Sequence, residues 1–336
     1  WAKSGRSEAP VEAMKLLMTI KDLHAAGQID APDIITYNTA MDAHAKHGGV
    51  DGALKVFEMM SDGEVKPVLQ SYNILIDAWA KSGRAEAPAE AMKLLMTIKD
   101  LHAGGEIDTP DIITYNTAMD AHAKQGDVDG TLKVFEMMQG EVKPNMRSYN
   151  TLMDAWAKSG RSEAPAEAMK LLMTNKDLHA AGEIDAPTVI THTTVMDAYA
   201  KQGDVDGALN VLETMQGEAK PDRQSYSILL DAWAKSGRDE APAEAMKLLM
   251  TIKDLHAAGE IDAPNVITFN TALDAHAKQG DVDGTLKVFE MMQGEVKPEL
   301  RSYSILIDAW AKSDRSESPA EAMKLLMTIK DLHAAG

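Results

Sequence analysis

Residues 114–121 read Thr-Tyr-Asn-Thr-Ala-Met-Asp-Ala, and residues 148–155 read Ser-Tyr-Asn-Thr-Leu-Met-Asp-Ala. Related segments recur along the whole chain of 336 residues. The motif Asp-Ala-Trp-Ala-Lys-Ser repeats every 77 residues, and its tryptophans are Trp79, Trp156, Trp233 and Trp310. This period divides into two related halves of 34 and 43 residues. A fixed period of this length is typical of a repeat architecture.

Each half of the period predicts two helices. In the first helix, Tyr149, Leu152, Met153 and Trp156 follow the spacing of a buried helical stripe. Thr or Ser near its start suits a helix N-cap, and a glycine such as Gly160 suits its end. The second helix is longer in the 43-residue halves, where proline and acidic residues occupy its first turn. No segment alternates with a period of two for long enough to form a strand.

The expected fold is all-α. It is an α-solenoid, a right-handed superhelix of stacked helix-turn-helix repeats, because a single hairpin cannot bury its apolar face alone. We expect one array over residues 1–336, and because it begins and stops within the motif we expect it to be a piece of a longer array. The predicted repeats are 34–68, 69–111, 112–145, 146–188, 189–222, 223–265 and 266–299, with partial repeats at 1–33 and 300–336.

Composition excludes several classes of function. The net charge of −18 makes the chain a poor non-specific partner for nucleic acid or an anionic membrane. A chain without cysteine has no disulfide, thiolate metal site or cysteine nucleophile. The acidic residues recur with the repeat and do not converge as a catalytic pair, and no phosphate loop or nucleophile elbow occurs. We therefore expect no catalytic residue and no cofactor in these residues, and no membrane partner.

The ten histidines raise the question of a metal site. Asp120 and His122 have a ligand-like spacing, but residues two apart on a helix point to different faces. Trp takes the place of this histidine in alternate repeats. The pattern favours structural histidines and predicts no metal. Methionine pairs such as Met137 and Met138 are likewise interpreted as core.

One short unit contains Ile-Thr-Tyr-Asn-Thr-Ala-Met-Asp at 113–120, Lys-Gln-Gly at 124–126 and Glu-Val-Lys-Pro-Asn at 141–145. These motifs resemble the pentatricopeptide repeat family, and the resemblance covers the whole chain. The 43-residue halves depart from that family's standard length. The resemblance implies sequence-specific binding of single-stranded RNA, one nucleotide per repeat. It also implies a role in organellar RNA processing, stability or translation, and a location in the mitochondrion or chloroplast.

The resemblance further implies two base-reading positions in each repeat. One follows the Tyr position of the first helix, and the other is the last residue of the repeat. The carried-over pairs are Asn38 with Val68, Asn73 with Asp111, Asn116 with Asn145, Asn150 with Thr188, Thr193 with Asp222, Ser227 with Asn265, and Asn270 with Glu299. Ser304 begins a repeat whose second reader lies beyond the sequence. By the family's pattern, the expected target is 5′-YUYYGAY-3′, where Y is a pyrimidine.

Two further sets of residues complete the expected RNA site. The resemblance assigns base sandwiching to an aliphatic residue at a position between the readers, and Ile35, Ile113, Ile190 and Ile267 fit this pattern. Arg147 and Arg301 depart from it but can stack on a base, and Gln70 and Gln224 depart as well. A lysine of equal phase in every unit predicts a locally positive row on one face. The resemblance assigns phosphate contact to this lysine row, whose members are Lys46, Lys81, Lys124, Lys158, Lys201, Lys235, Lys278 and Lys312. Lys3 has the same phase.

Two other functions stay open. The acidic charge and the unusual 43-residue units favour a protein- or peptide-binding scaffold, with a protein partner on the elongated helices. The chain could also be the RNA-binding module of a larger RNA-processing enzyme whose catalytic domain lies outside it. RNA binding through lysines weakens steeply as salt rises, which distinguishes it from the scaffold.

Overall fold

The computed structural model describes residues 8–63 and 65–334, and every regular element in them is an α-helix. The chain divides into two compact units, Trp1–Ser159 and Gly160–Gly336. Lys3 and Trp1 lie outside the described residues. No helix in the described ranges has the length and hydrophobicity needed to cross a membrane.

In the described part of unit 1 there are eight helices. They are α1 (Ala9–Ala25), α2 (Ile34–Ala45), α3 (Val50–Ser61), α4 (Leu69–Ser82), α5 (Ala87–Ala103), α6 (Ile112–Ala123), α7 (Val128–Gln139) and α8 (Met146–Ser159). Helices α2, α4, α6 and α8 each pack against the next in this series and form one layer. Helices α1, α3, α5 and α7 form the other layer, and each packs against the neighbouring helices of the first layer.

In the described part of unit 2 there are nine helices. They are α9 (Ala164–Ala180), α10 (Val189–Lys201), α11 (Val205–Gln216), α12 (Arg223–Ser236), α13 (Ala241–Ala257), α14 (Val266–Ala277), α15 (Val282–Gln293), α16 (Leu300–Lys312) and α17 (Ser318–Ala334). The same two layers recur, with α10, α12, α14 and α16 in one layer and the other five helices in the second. We call the helices of the first layer in each unit the first helices, and the others the second helices.

The first helices start at the residues where the predicted repeats begin: Ile34, Leu69, Ile112, Met146, Val189, Arg223, Val266 and Leu300. Local capping explains these starts. The Asp111 carboxylate accepts from the Thr114 backbone N–H, and the Thr114 hydroxyl accepts in return from the Asp111 backbone N–H. Such a capping box satisfies donors that the first helical turn leaves unpaired. The repeat as a unit of function stays a prediction.

The core lies between the two layers of each unit. Tyr115, Met119 and Met138 are fully buried in unit 1, and Phe269, Leu273 and Met292 occupy the same register in unit 2. The alternating repeat lengths follow from the second helices, which have 12 residues in α7 and 17 in α5. The extra turn and the longer closing loop leave the register of the first helices unchanged, so equivalent side chains recur along that layer.

Candidate nucleic-acid interface

The first reader positions lie on the first helices, and their exposure varies from one repeat to another. Asn38, Asn116, Thr193 and Asn270 are buried, with 3–6% of their surface exposed, whereas Ser304 is exposed. Asn73, Asn150 and Ser227 are half-buried. The asparagine side chains at these positions are therefore mostly enclosed within the layer of first helices rather than exposed on its surface.

Several of these amides carry an unsatisfied oxygen. The side-chain oxygens Oδ1 of Asn73, Asn116, Asn150 and Asn270 are buried and have no hydrogen-bond partner. A buried polar atom without a partner costs free energy, and in a native protein it often marks a functional position. A donor on a base reaches these four buried oxygens only after the side chains around them move.

Two of the three hydroxyl readers, Thr193 and Ser304, are engaged within their own helices, whereas the Ser227 hydroxyl lies 3.2 Å from the Thr268 hydroxyl of the next first helix. The Thr193 hydroxyl donates to the Val189 and Ile190 carbonyl oxygens at 2.9 Å and 3.1 Å. The Ser304 hydroxyl donates to the Leu300 oxygen at 3.0 Å. A hydroxyl that donates to its own helix still has lone pairs free, so in this state it can only accept from a base.

The second reader positions are helix N-caps. Oδ1 of Asp222 accepts from the Ser225 backbone N–H at 2.9 Å, and Oδ1 of Asn265 accepts from that of Thr268 at 3.0 Å. Asp111 and Thr188 cap their helices in the same manner. Val68 and Glu299 make no side-chain cap bond. Where the reader is aspartate, capping uses one carboxylate oxygen and leaves the other for a ligand.

The structure brings one predicted reader pair into direct contact. Nδ2 of Asn116 donates to Oδ1 of Asn145 at 3.4 Å. In the first full repeat, Oδ1 of Asn38 instead accepts from the Ser71 hydroxyl at 2.8 Å. The first reader thus lies beside the capping box of the following first helix.

The predicted sandwiching residues project from the layer. Ile35, Ile113, Ile190 and Ile267 have 58–69% of their surface exposed. Arg147 and Arg301 are also exposed. Single exposed aliphatic side chains are common on protein surfaces, so their exposure is compatible with base packing but does not by itself identify a partner.

The predicted lysine row differs from the expectation of a locally positive surface. Seven of its eight ammonium groups form ion pairs of 2.6–2.7 Å with an aspartate four residues earlier. The pairs are Lys46–Asp42, Lys81–Asp77, Lys158–Asp154, Lys201–Asp197, Lys235–Asp231, Lys278–Asp274 and Lys312–Asp308. These aspartates belong to the site, and sequence reasoning missed them. The signal was available, because residues four apart on a helix are neighbours.

Residues of all the predicted classes line one cleft in unit 1. Its volume is about 750 Å³, and its lining includes Asn73 and Asp111, Ile113 and Arg147, and Lys81 and Lys124. In unit 2 a cleft of about 490 Å³ is lined by Asn270 and Glu299 together with Ile267 and Arg301. The first helices therefore present amides, apolar side chains and cations on the same surface.

The histidines of the first helices are held by contacts within the fold. Nδ1 of His122 lies 2.7 Å from Oδ2 of Asp127, and a Cβ built on Gly130 would lie 2.0 Å from the same ring nitrogen. Burial raises the pKa of Asp127, but the interactions with His122 and the hydrogen bond from the Gly130 backbone N–H together outweigh it, so the pKa lies below its ordinary value. Within the described residues, no three His, Asp or Glu side chains cluster as metal ligands would.

The fold and the interface together define a helical-repeat protein whose first helices carry the candidate binding residues. Profile comparison then identifies the repeat: the PPR repeat family matches residues 32–99, 110–158, 187–235 and 264–312, and the PPR repeat matches residues 147–172. The chain belongs to the pentatricopeptide repeat (PPR) family.

Relatives and solved structures agree with this family. A chloroplastic pentatricopeptide repeat-containing protein of Arabidopsis thaliana is 25% identical over 92% of this chain and 43% of its own length. A mitochondrial one from the same plant is 24% identical over 89% of this chain and 40% of its own. The crystal structure of PPR10 from maize has a TM-score of 0.62 and 24% identity, over 96% of this chain and 47% of that one. PPR10 in complex with an 18-nt psaJ RNA element gives a TM-score of 0.61, at 24% identity over 98% and 50%. This chain thus spans about half or less of the length of these proteins.

Proposed function

We propose that the chain binds single-stranded RNA in a sequence-specific manner, one nucleotide per repeat, along the first helices. The observation that carries the proposal is the cleft of unit 1, where Asn73 and Asp111 line the same space as Ile113 and Lys81. An amide and a carboxylate can hydrogen-bond a base edge, an aliphatic side chain can pack on a base face, and a lysine can contact a phosphate. The similarity to PPR10, whose structure was solved with RNA, supports this choice of ligand.

The proposal includes the repeat boundaries and the reader pairs predicted above, and hence the target 5′-YUYYGAY-3′. Its biological setting is the processing, stability or translation of organellar transcripts. Two relatives named chloroplastic and mitochondrial support that setting.

Fluorescence anisotropy tests the proposal with three labelled ligands at two salt concentrations. The ligands are the predicted RNA, a scrambled RNA of the same composition and the DNA equivalent of the predicted sequence. The predicted RNA should bind more tightly than the other two, and its affinity should fall as salt rises because phosphate contacts release counterions. Equal affinity for predicted and scrambled RNA would reject the reader assignments.

A protein-binding scaffold is the second candidate, favoured by methionines on the 17-residue second helices. Met96, Met173 and Met250 recur every 77 residues and have 42–50% of their surface exposed. Exposed methionines suit adaptable contacts with a partner. If none of the three nucleic acids binds at low salt, the scaffold becomes the better account of the chain.

A further inference from the structure

The eight aspartates that precede the lysine row by four residues compete for its ammonium groups. In seven repeats the aspartate holds the ammonium group at 2.6–2.7 Å, where a phosphate oxygen of a ligand would otherwise lie. The side chains of these pairs are 30–44% exposed, so a solvated polyanion can reach them. A phosphate can bind such a lysine only if the ammonium group leaves its aspartate or contacts both groups at once.

One lysine is an exception. The Asp120 carboxylate accepts from Nη2 of Arg147 at 2.7 Å and from the Thr151 hydroxyl at 3.0 Å. The Lys124 ammonium group is exposed and has no ion-pair or hydrogen-bond partner among the residues that the structure describes. The Asp120 carboxylate thus bonds to two side chains of the following first helix instead of to Lys124.

Two other repeats have only one of these two partners, and in both the aspartate stays with its lysine. Thr117 occupies the Thr151 position next to Asp77, but no arginine is present there and Asp77 stays with Lys81. Arg301 occupies the Arg147 position next to Asp274, but Ile305 replaces the threonine and Asp274 stays with Lys278.

A physical reason explains why arginine and threonine act together. Each bond to the aspartate competes with an ammonium group that is four residues away on the same helix, a favourable spacing. An ion pair between exposed side chains contributes little net free energy. An arginine alone on the next first helix therefore does not draw the aspartate away from its lysine. In the described residues, only Asp120 has both a guanidinium and a hydroxyl donor in the layer beside it.

We propose that Lys124 is the principal phosphate anchor of unit 1, and that the aspartates paired with Lys46, Lys81 and Lys158 weaken phosphate contact at those lysines. Thr151 is a positioning residue, because it acts on the ligand through Asp120. Arg147 acts through Asp120 as well, in addition to the base contact proposed for it in the cleft. This inference rests on the proposed function for its ligand, a phosphodiester of single-stranded RNA. The competition between aspartate and phosphate for a lysine applies to any phosphate.

The test compares matched pairs of variants by anisotropy with the predicted RNA. Lys124→Ala should weaken binding more than Lys81→Ala does. Asp77→Asn should strengthen binding by about two- to fivefold, the range that corresponds to removing an exposed ion pair. Asp120→Asn should change affinity much less, since Asp120 does not hold Lys124. Equal effects of the two lysine variants, or of the two aspartate variants, would overturn the anchor.

A second set of variants changes the positioning residues without touching a lysine. Thr151→Val keeps the side-chain volume, returns Asp120 to Lys124 and should weaken RNA binding. Thr117→Val is its control, because Asp77 is already paired with Lys81, and it should change affinity less than Thr151→Val does. Ile305→Thr should have the opposite effect in unit 2, by drawing Asp274 toward Arg301 and releasing Lys278 from its ion pair, although Lys278 keeps its hydrogen bond to the Ala234 carbonyl oxygen. Similar losses for Thr151→Val and Thr117→Val would contradict the positioning role.

Inorganic tripolyphosphate separates failure of the anchor from failure of the proposed function. If the wild type binds no RNA, but tripolyphosphate binding depends on Lys124 more than on Lys81, the anchor holds and RNA is the wrong ligand. If RNA binds and Lys124→Ala equals Lys81→Ala, the function holds and the anchor fails. If RNA does not bind and tripolyphosphate shows no preference for Lys124, both fail. Circular dichroism of each variant checks that the helices are intact.

Discussion

Asn116 donates a side-chain hydrogen bond of 3.4 Å to Asn145, across 29 positions of the chain. Asn116 lies within helix α6, and Asn145 immediately precedes helix α8. Two amides that could each contact a base edge therefore already share one bond. The same Asn145 oxygen also accepts from the Ser148 backbone N–H at 3.1 Å, so its position is set by the helix start.

Asn145→Asp should narrow the preference at the third base of the target from either pyrimidine toward U. An aspartate still accepts from Asn116 and from the helix start, because Asp and Asn are comparable N-caps, but it offers a base only acceptors. Competition between RNAs that differ at this base measures the shift. The control is the denaturation midpoint, which should stay unchanged. A preference unaltered by the substitution would contradict the assignment of Asn145 as a reader.

Thr193→Asn should change the fifth base preference from G toward U. Asparagine replaces a hydroxyl that donates to its own helix with an amide, as in the repeat that carries Asn73 with Asp111. Affinity for unrelated RNA should not change, since Asp222 and Lys201 are retained. Anisotropy with the four RNAs that vary at this base provides the measurement. A uniform loss of affinity would instead indicate damage to the helix.

Three arginines, Arg84, Arg238 and Arg315, pair with aspartates in adjacent repeats. We expect these pairs to make the stability of the fold depend on pH. Nη1 and Nη2 of Arg315 donate to the Asp283 carboxylate at 2.9 Å and 2.6 Å, and Arg238 pairs in the same way with Asp206. Hydrogen bonding to arginine lowers the pKa of Asp206 and Asp283 below their ordinary value. A lowered carboxyl pKa stabilises the fold above the ordinary value, and this contribution is lost as pH falls through the folded-state pKa.

We therefore expect Arg238→Gln to be less stable than the wild type at pH 7, with a difference that shrinks as the pH approaches about 2–3, below the ordinary aspartate pKa. Urea denaturation at several pH values measures the two midpoints. Arg238 also stacks near the Trp233 ring, at 5.8 Å from its centroid, so a small difference independent of pH should remain. A difference that stays constant from pH 7 to the acid limit would show that the ion pair contributes nothing.

Substitution of two glycines of unit 1 distinguishes the cost of backbone strain from the cost of a steric clash. Gly83 and Gly126 both have positive φ, at 68° and 67°. A Cβ on Gly83 meets nothing within 4 Å, whereas one on Gly126 would lie 2.8 Å from the Lys158 carbonyl oxygen. Gly83→Ala should cost about 1–2 kcal/mol, the penalty for a left-handed L-residue. Gly126→Ala should cost more, because the following repeat must also move. Equal shifts in the denaturation midpoint would show that the contact with Lys158 is unimportant.

Much of this protein could be predicted from local sequence signals. The all-α fold follows from the apolar stripes, and the 77-residue period identifies a repeat architecture. The first helices start where Thr or Ser and a preceding cap residue occur, as at Asp111 and Thr114, because capping depends on residues three positions apart. The motifs at 113–120 and 141–145 were enough to indicate the PPR family, which the profile match confirms.

The tertiary structure decided what the side chains of the site do. The Asp–Lys pairs use the spacing of four on one helix and could have been found in the sequence. The release of Lys124 could not, because it depends on Arg147 and Thr151, 27 and 31 positions from Asp120. The burial of the Asn116 amide depends on the neighbouring first helix in the same way. Sequence alone therefore determined the helices and their register, since those depend on local hydrogen bonds and periodic burial. Packing between repeats determined which charges and amides are free, because competing partners become neighbours only when the helices stack.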